Sequence, residues 1–326
     1  MSAAARGRHT GDMADGAGRT AFVTGAAGFV GRELIKVLVD GGFQVVGLAR
    51  TTETAQDLRR AGATAVTGDL LVPGRWQDEA AAHWVFHIPS CALPAARQGS
   101  SQRPDRSAQT RAAMDRNLLD AVATGTTRRI VYVADSGLYG PTGSRPITED
   151  EPPVSSDRGR ALAPPLDRLD GYVIAGLPII TALPGCVYGN GAWFRERIVE
   201  PVMAGRRVLQ FGTAGPWVSP IHVHDCARAL VHLAEHGEVG NRYFLVNSEP
   251  VRMNELARAF ARIAHRPLRV WRIPARAARF VVDRPFADYV RGDAAFANIR
   301  LRGLGFRFRY PTLEQGIEQI LGAFHE

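Results

Sequence analysis

The stretch Thr24-Gly25-Ala26-Ala27-Gly28-Phe29-Val30-Gly31 has the glycine spacing that holds a pyrophosphate. The apolar run Ala21-Phe22-Val23 before it reads as a buried strand, and Glu33 to Val39 after it has helical apolar spacing. A glycine turn between strand and helix aims backbone N–H groups and the positive end of a helix dipole at one point. Gly25 permits the sharp turn, Gly28 lets a phosphate approach, and Gly31 lets the helix pack on the strand. Ala27, Phe29 and Val30 complete the expected cradle. A second strand, Phe43 to Ala49, follows at the distance of a βαβ unit.

Arg50 stands at the expected end of that second strand. A carboxylate there would accept from the ribose 2′-hydroxyl of NAD, whereas an arginine suits a 2′-phosphate. Leu48 and Ala49 supply no carboxylate. The expected cofactor is therefore NADPH, with Arg32 as a second phosphate contact; the alternative for Arg50 is a solvated loop arginine. Asp69, with Leu70, follows a short strand over 63–67 and is placed to accept from an adenine amino group, or else to cap a helix or make an Asx-turn. Strand four, Trp84 to Ile88, runs into Pro89 and Ser90. Ligands of such sheets bind beyond the carboxyl ends of the strands, so Ile88, Pro89 and Ser90 should line the groove. Strand five, Arg129 to Ala134, brings Ala134 to the same edge.

The remaining elements must position these groups. Helices are expected over 54–61, 111–123, 226–235, 253–264 and 312–324, with Asp225, Ser248 and Asn254 as candidate N-caps. A long polar loop is expected over 93–110. The chain has 326 residues, 45% hydrophobic and 22% charged, as in an ordinary soluble globular protein. Residues 1–19 lack a signal-peptide apolar segment and read as a disordered tail. Net charge is +8, but the arginines are dispersed without a dense basic and aromatic block, so no nucleic-acid partner is expected. Three scattered cysteines make neither a disulfide framework nor a metal site, which suits a reducing, cytoplasmic setting. No apolar run is long enough for a bilayer, so no membrane partner is expected. His222 and His224 alternate along an extended run, would face opposite ways, and make no metal set with His87.

Several further pieces lie in a fixed order: Gly68-Asp69-Leu70, Asn117-Leu118-Leu119-Asp120-Ala121, Val131 to Gly140, Leu183 to Gly189, Ile221-His222-Val223-His224-Asp225 and Leu304-Gly305-Phe306. With the glycine turn, they make the chain resemble the extended, epimerase/dehydratase-like branch of the short-chain dehydrogenase/reductases. The resemblance implies an α/β Rossmann-like fold, doubly wound, with a mostly parallel seven-stranded sheet and a smaller C-terminal substrate-binding lobe. It implies a dinucleotide-binding domain over 20–185 and a mainly substrate-binding lobe over 186–326, with about 216–247 returning to the sheet. Strand six would cover Gly176 to Leu183, and the loop from Pro184 through Val187 to Gly189 would wrap the nicotinamide. The partner implied is a small-molecule substrate, and the assembly a monomer or homodimer.

The family's catalytic Ser/Thr, Tyr and Lys are where this chain departs. The Ser/Thr slot falls on Asp135, beside Ser136, and the Tyr and Lys slots fall near Ser156 and Arg160. The only lysine in the chain is Lys36, in the first helix, so no lysine can serve the site. Three readings compete. A ketone conjugated to a quinone, or hydrogen-bonded to its own phenol, could stabilise its own oxyanion; losing a general acid forfeits about 10²–10⁴-fold, which an activated substrate can offset. Alternatively Asp135, Ser136 or a water carries the proton, with burial raising the Asp135 carboxyl. Finally, the chain could bind the dinucleotide and do no chemistry. The first reading is favoured, and it resembles the tailoring ketoreductases of aromatic polyketide pathways. Trp193, Phe194, Phe211, Trp217, Trp271, Phe280 and Phe286 would suit a flat aromatic ketone, unless they are core. Arg195, Arg197, Arg206 and Arg291 keep a nucleotide-sugar diphosphate in play.

Overall fold

The apolar runs at 20–24, 44–49, 84–87, 129–133 and 179–184 are too uniformly apolar for a sheet with a solvated face, and the fold covers both faces of them. The structure is a computed structural model and describes residues 16, 18–88, 104–123, 127–152, 157–247, 249–282, 286 and 292–325. Its central sheet contains β1 (Thr20–Thr24), β2 (Gln44–Ala49), β3 (Thr64–Thr67), β4 (Trp84–His87), β5 (Arg129–Val133), β6 (Ile179–Pro184) and β7 (Arg242–Leu245). The spatial order is β3-β2-β1-β4-β5-β6-β7, and every neighbouring pair is parallel. The order reverses between β1 and β4, which opens a crevice at their carboxyl ends. This is the doubly wound, seven-stranded architecture expected.

Helices α1 (Phe29–Asp40), α2 (Thr52–Arg60), α3 (Pro104–Ala123), α4 (Asp157–Ile174) and α5 (Val223–His236) flank the sheet. One face buries Leu34, Ile35 and Leu38 of α1 against Leu230 and Leu233 of α5. The other buries Leu118, Leu119, Tyr132 and Leu169. A third core joins Phe194, Phe211, Leu256, Phe260, Ile317 and Ile320. It is built from α6 (Met253–Ile263), α7 (Leu313–His325) and the parallel pair Arg207–Phe211 and Arg269–Ile273. Among the described residues no helix is long and apolar enough to cross a membrane.

Several local expectations need correction. Helix α3 begins at Pro104, seven residues before the expected Arg111, because proline is well suited to a first helical position. Residues 104–110, expected as loop, form its first turns. Strand β6 starts at Ile179, since Gly176 at φ +96° ends the preceding helix. Asn254 does not cap α6: Arg252 occupies that place, and the Asn254 amide donates to the carbonyls of Phe211 and Thr213. Ser248 lies outside the described residues, as do Cys91 and all but Gly16, Gly18 and Arg19 of the expected tail.

The cap of α5 is His222 rather than Asp225. Asp225 is fully buried inside the first turn, where it accepts from Arg228 and from the backbone N–H groups of Arg309 and Tyr310. The helix begins at Val223, so strand alternation stops there and both His222 and His224 lie against the ring of Tyr310 instead of facing opposite ways. His222 Nδ1 accepts from the His224 N–H at 3.3 Å, so the neutral ring donates through Nε2 to Gln319 Oε1 at 3.1 Å.

Burial pushes the His222 ring down to about 4. Unfolded, it would take a proton near its ordinary value of 6.5. Falling pH therefore favours the unfolded chain between those two values, with a loss of roughly 3 kcal/mol across the window. Urea denaturation at pH 7 and pH 4.5 should show that loss. His222→Asn, which can cap a helix without titrating, should flatten it.

Candidate active site

The dinucleotide turn is built by close backbone packing. Gly25 has φ +67°, and a Cβ there would lie 1.9 Å from the Ile88 carbonyl oxygen. A Cβ at Gly31 would lie 2.2 Å from the Gly25 oxygen. Gly28 donates to Gly25 at 2.9 Å and caps α1 with no side chain, so the first amides of the helix stay open. Ala27, Phe29 and Val30 are half-buried around that opening. Uncapped amides at a turn that only glycine can make are the donor set a pyrophosphate requires. The expected loop from Pro184 to Gly189 is instead the end of β6 followed by a short strand, Cys186–Tyr188, paired in parallel with Pro220–His222; beyond it the backbone at Gly191 passes so near Phe29 that a Cβ would meet the ring at 2.9 Å. Trp193 Nε1 donates to the Val187 carbonyl at 2.9 Å and fixes that strand. Behind the turn, His224 Nδ1 lies 2.8 Å from Glu33 Oε1 and ties α1 to α5; that bond holds the Glu33 carboxyl below its usual range against the effect of burial.

Around the rim, Arg50 is exposed at the end of β2, immediately before Thr51, which caps α2. Arg32 pairs with Asp57 at 3.5 Å. Asp69 Oδ1 accepts from the Leu71 N–H at 2.9 Å, the Asx-turn alternative, while the buried Leu70 offers its carbonyl to Asn117 at 2.8 Å. Ile88 covers Gly25, and Ala134 is half-buried at the end of β5. Pro89, Ser90 and Arg291 lie outside the described residues.

At the expected catalytic end, Asp135 is exposed rather than buried. Its Oδ1 accepts from the Gly137 N–H at 2.8 Å and caps the short turn Ser136–Tyr139. Ser136 is 8% exposed and donates its hydroxyl to the Pro184 carbonyl at 2.8 Å. Ser156 lies outside the described residues, as does the side chain of Arg160. The aromatic residues do not form one surface. Phe194 and Phe211 are core, Trp193 and Phe286 pack on that core, and Trp217 lies under Arg252. Trp271 and Phe280 point to solvent, 62% and 75% exposed.

A buried polar chain that the sequence did not suggest lies beneath the tips of β1, β4 and β5. Ile88 N–H donates to Thr24 Oγ1 at 3.3 Å, and Thr24 Oγ1 lies 2.8 Å from His87 Nδ1. His87 Nε2 lies 3.1 Å from Asp115 Oδ1, and Tyr132 donates to Asp115 Oδ2 at 3.0 Å. Arg111 Nε donates both to Asp115 at 3.0 Å and to the Tyr132 oxygen at 2.8 Å. Burial pushes the His87 ring below its ordinary value. A neutral His87 with its proton on Nε2 lets every bond run one way, from Ile88 to the carboxylate. Burial alone would raise the Asp115 carboxyl; the bonds from His87 and Tyr132 and the Arg111 charge outweigh it and hold the carboxyl low. The available signal was the i, i+4 pair Arg111 and Asp115 inside the helix expected over 111–123; its long-range partners His87 and Tyr132 have no local mark in the sequence.

Residues 21–159 match the NAD dependent epimerase/dehydratase family. That span holds the dinucleotide turn, the first five strands and the start of α4. Beyond this NAD dependent epimerase/dehydratase match, the chain is similar to the dTDP-4-dehydro-6-deoxy-D-allose reductase of a Streptomyces species, 28% identical over 283 residues, covering 80% of this chain and 86% of that one. It is also similar to an epimerase family protein of Bacillus subtilis, 24% identical, covering 92% and 97%. Among solved structures it resembles the UDP-glucose 4-epimerase of Thermotoga maritima, with TM-score 0.76, 20% identity and 94% and 98% coverage. A human epimerase family protein with NADPH gives TM-score 0.74, 19% identity and 93% and 99% coverage. These structural likenesses share the fold.

Neutralising the carboxylate at the centre of the buried chain removes the counter-charge that Arg111 meets at 3.0 Å. Asp115→Asn should lower unfolding free energy by about 3 kcal/mol, and Asp69→Asn on the rim by less than about 1 kcal/mol. Urea denaturation of both variants measures the contrast.

Proposed function

We propose that this chain is a nicotinamide-dinucleotide-dependent oxidoreductase of the extended short-chain dehydrogenase/reductase kind. In finer terms it is an NADPH-dependent ketoreductase, and its substrate is an activated ketone of an aromatic, polyketide-type (angucyclinone-like) molecule. One observation carries the reading: the uncapped amides at Gly28 and the glycine-only contact at Gly25 keep a dinucleotide cradle, while Ser136 and Asp135 are already engaged with Pro184 and Gly137. The reduced dinucleotide supplies the hydride. The residues of this chain bind it, hold the strand at Val187 over it and exclude water. Gly25, Gly28, Phe29 and Val30 grip the pyrophosphate, Arg50 takes the 2′-phosphate, and Asp69, whose Oδ1 makes the Asx-turn with Leu71, offers its other oxygen to the adenine. Ile88, Ala134, Pro184 and Val187 line the nicotinamide end. With no lysine in the site, the substrate's own phenol or quinone carries the developing charge. The segment from 186 onward mainly forms the substrate lobe.

A second reading is a nucleotide-sugar reductase or epimerase, favoured by the dTDP-sugar reductase relative. Against it, Arg195 is committed to Glu200 at 3.0 Å and Asn190 at 3.4 Å, and Arg197 lies over the Phe286 ring. Arg206 lines a separate cavity with Arg207 and Arg269. These arginines do not converge on a diphosphate.

Thermal unfolding with each dinucleotide tests the cofactor. Saturating NADPH should raise Tm by roughly 5 °C and NADH by much less, and Arg50→Asp should reverse the order. Equal shifts would remove the role given to Arg50. NADPH oxidation with hydroxyquinone ketones, set against dTDP-4-keto sugars, separates the two substrate classes. No oxidation with either would leave a dinucleotide-binding protein without chemistry. In the ketone assay Asp135→Asn and Ser136→Ala should each keep activity within about tenfold, and a loss beyond about 10³-fold would assign the proton to that side chain.

A further inference from the structure

The parallel pair Arg207–Phe211 and Arg269–Ile273 opens on two arginines. Arg207 and Arg269 are register partners, so their side chains leave the same face of the pair. Both are exposed, and with Gly205, Arg206 and Val270 they line an open cavity of about 570 Å³. Among the described residues no carboxylate lines it. Arg269 Nη1 donates to the Gly205 carbonyl at 3.5 Å, and the guanidinium groups of Arg206 and Arg207 meet no acceptor among the described residues. The carboxylates on the helices packed against the pair are engaged elsewhere, Glu200 with Arg195 at 3.0 Å and Glu255 with Arg258 at 3.4 Å, and Glu196 is exposed outside the lining.

Like charges side by side on neighbouring strands repel, and an anion held between them turns the repulsion into attraction. Guanidinium groups are also matched to phosphate, which each can meet through two parallel N–H bonds. Trp271 adds a second feature on the same face. It stands two residues beyond Arg269, about 7 Å along the strand, and is 62% exposed. Among the described residues no other ring and no guanidinium packs on its indole. At the far end of the pair Phe211 is buried in the third core and Ile273 packs against it. The open face is therefore short, with a charged end at Arg207 and Arg269 and a flat apolar end at Trp271.

We propose that this face is a second binding site, for a phosphate ester of a flat ring. The phosphate lies in the cavity between Arg206, Arg207 and Arg269, and the ring stacks on Trp271. A mononucleotide and a phosphorylated aromatic metabolite share that chemistry. The site is distinct from the dinucleotide cradle, none of whose residues lines the cavity. Its two halves contribute separately, the arginines through charge and the indole through stacking, so tight binding needs both ends of the ligand.

Titration calorimetry of the full chain tests this, with inorganic phosphate, 1-naphthyl phosphate and UMP as probes at one ionic strength held with chloride. At least one ester should bind wild type about tenfold more tightly than inorganic phosphate does. Arg269→Gln should weaken that ester and inorganic phosphate by about tenfold each. Trp271→Ala should weaken the ester by about tenfold and leave inorganic phosphate unchanged. Arg207→Gln carries the same expectation as Arg269→Gln should that variant fold poorly, and thermal unfolding checks the fold of each. The tighter ester marks the source, a nucleotide or an aromatic metabolite. An ester held equally by folded Arg269→Gln and Arg207→Gln, or displaced by saturating NADPH, lies elsewhere and overturns the proposal. Wild type that binds neither ester, or neither more tightly than inorganic phosphate, overturns it too. Oligo-dT that binds more tightly than both esters assigns the face to a nucleic-acid strand and overturns the small-molecule site. Each of these outcomes leaves the reading of the dinucleotide groove untouched.

Discussion

The backbone leaving β1 passes so close to the backbone leaving β4 that no side chain fits between them. A Cβ on Gly25 would lie 1.9 Å from the Ile88 carbonyl oxygen. That contact fixes where the chain can turn, and so where α1 can begin. The helix starts at Phe29 with its first amides uncapped and pointing over the strand tips. The Thr24–His87–Asp115 chain braces the same junction from below, its donors and acceptors running in a single direction. The carboxylate at its end joins β4, β5 and both helices of that face. The floor of the groove is thus held by one steric limit above and one buried anion below.

Much of this was legible in the sequence. The strand–turn–helix–strand pattern around the first glycines read as a βαβ unit, and the resemblance to the extended short-chain dehydrogenase/reductases implied the doubly wound sheet around it. The glycines of the first turn also spoke plainly, since each is tied to a local backbone demand. Contacts between distant residues did not show. Asp225 looked like a helix cap, yet its backbone partners are Arg309 and Tyr310, 84 and 85 residues away. Ser136 looked available, but the carbonyl that engages it belongs to Pro184, at the end of another strand. His87 lay in a run too short to reveal a partner, and Asp115, inside an expected helix, carries no local sign that it meets a strand 28 residues earlier.

Side-chain type was a poor guide to role in the C-terminal lobe. Phe194, Trp193 and Trp271 are alike in composition terms. Phe194 fills the core, Trp193 latches a strand through Val187, and Trp271 faces water. Packing environment decides between those fates, and nothing local to each residue encodes it. The arginines divide in the same way, between ion pairs, ring faces and an open cavity.

One edge of the sheet is β7, and the chain reaches it only after the long segment 185–241 that follows β6. A nascent polypeptide that has not yet emerged past Arg242 therefore presents β6 as a bare edge, with its backbone groups unpaired on that side. Such an edge can recruit a strand from another chain. Translation through the intervening segment is then an interval of vulnerability, and slow codons or a stalled ribosome there would expose the nearly finished sheet to aggregation or to chaperone capture.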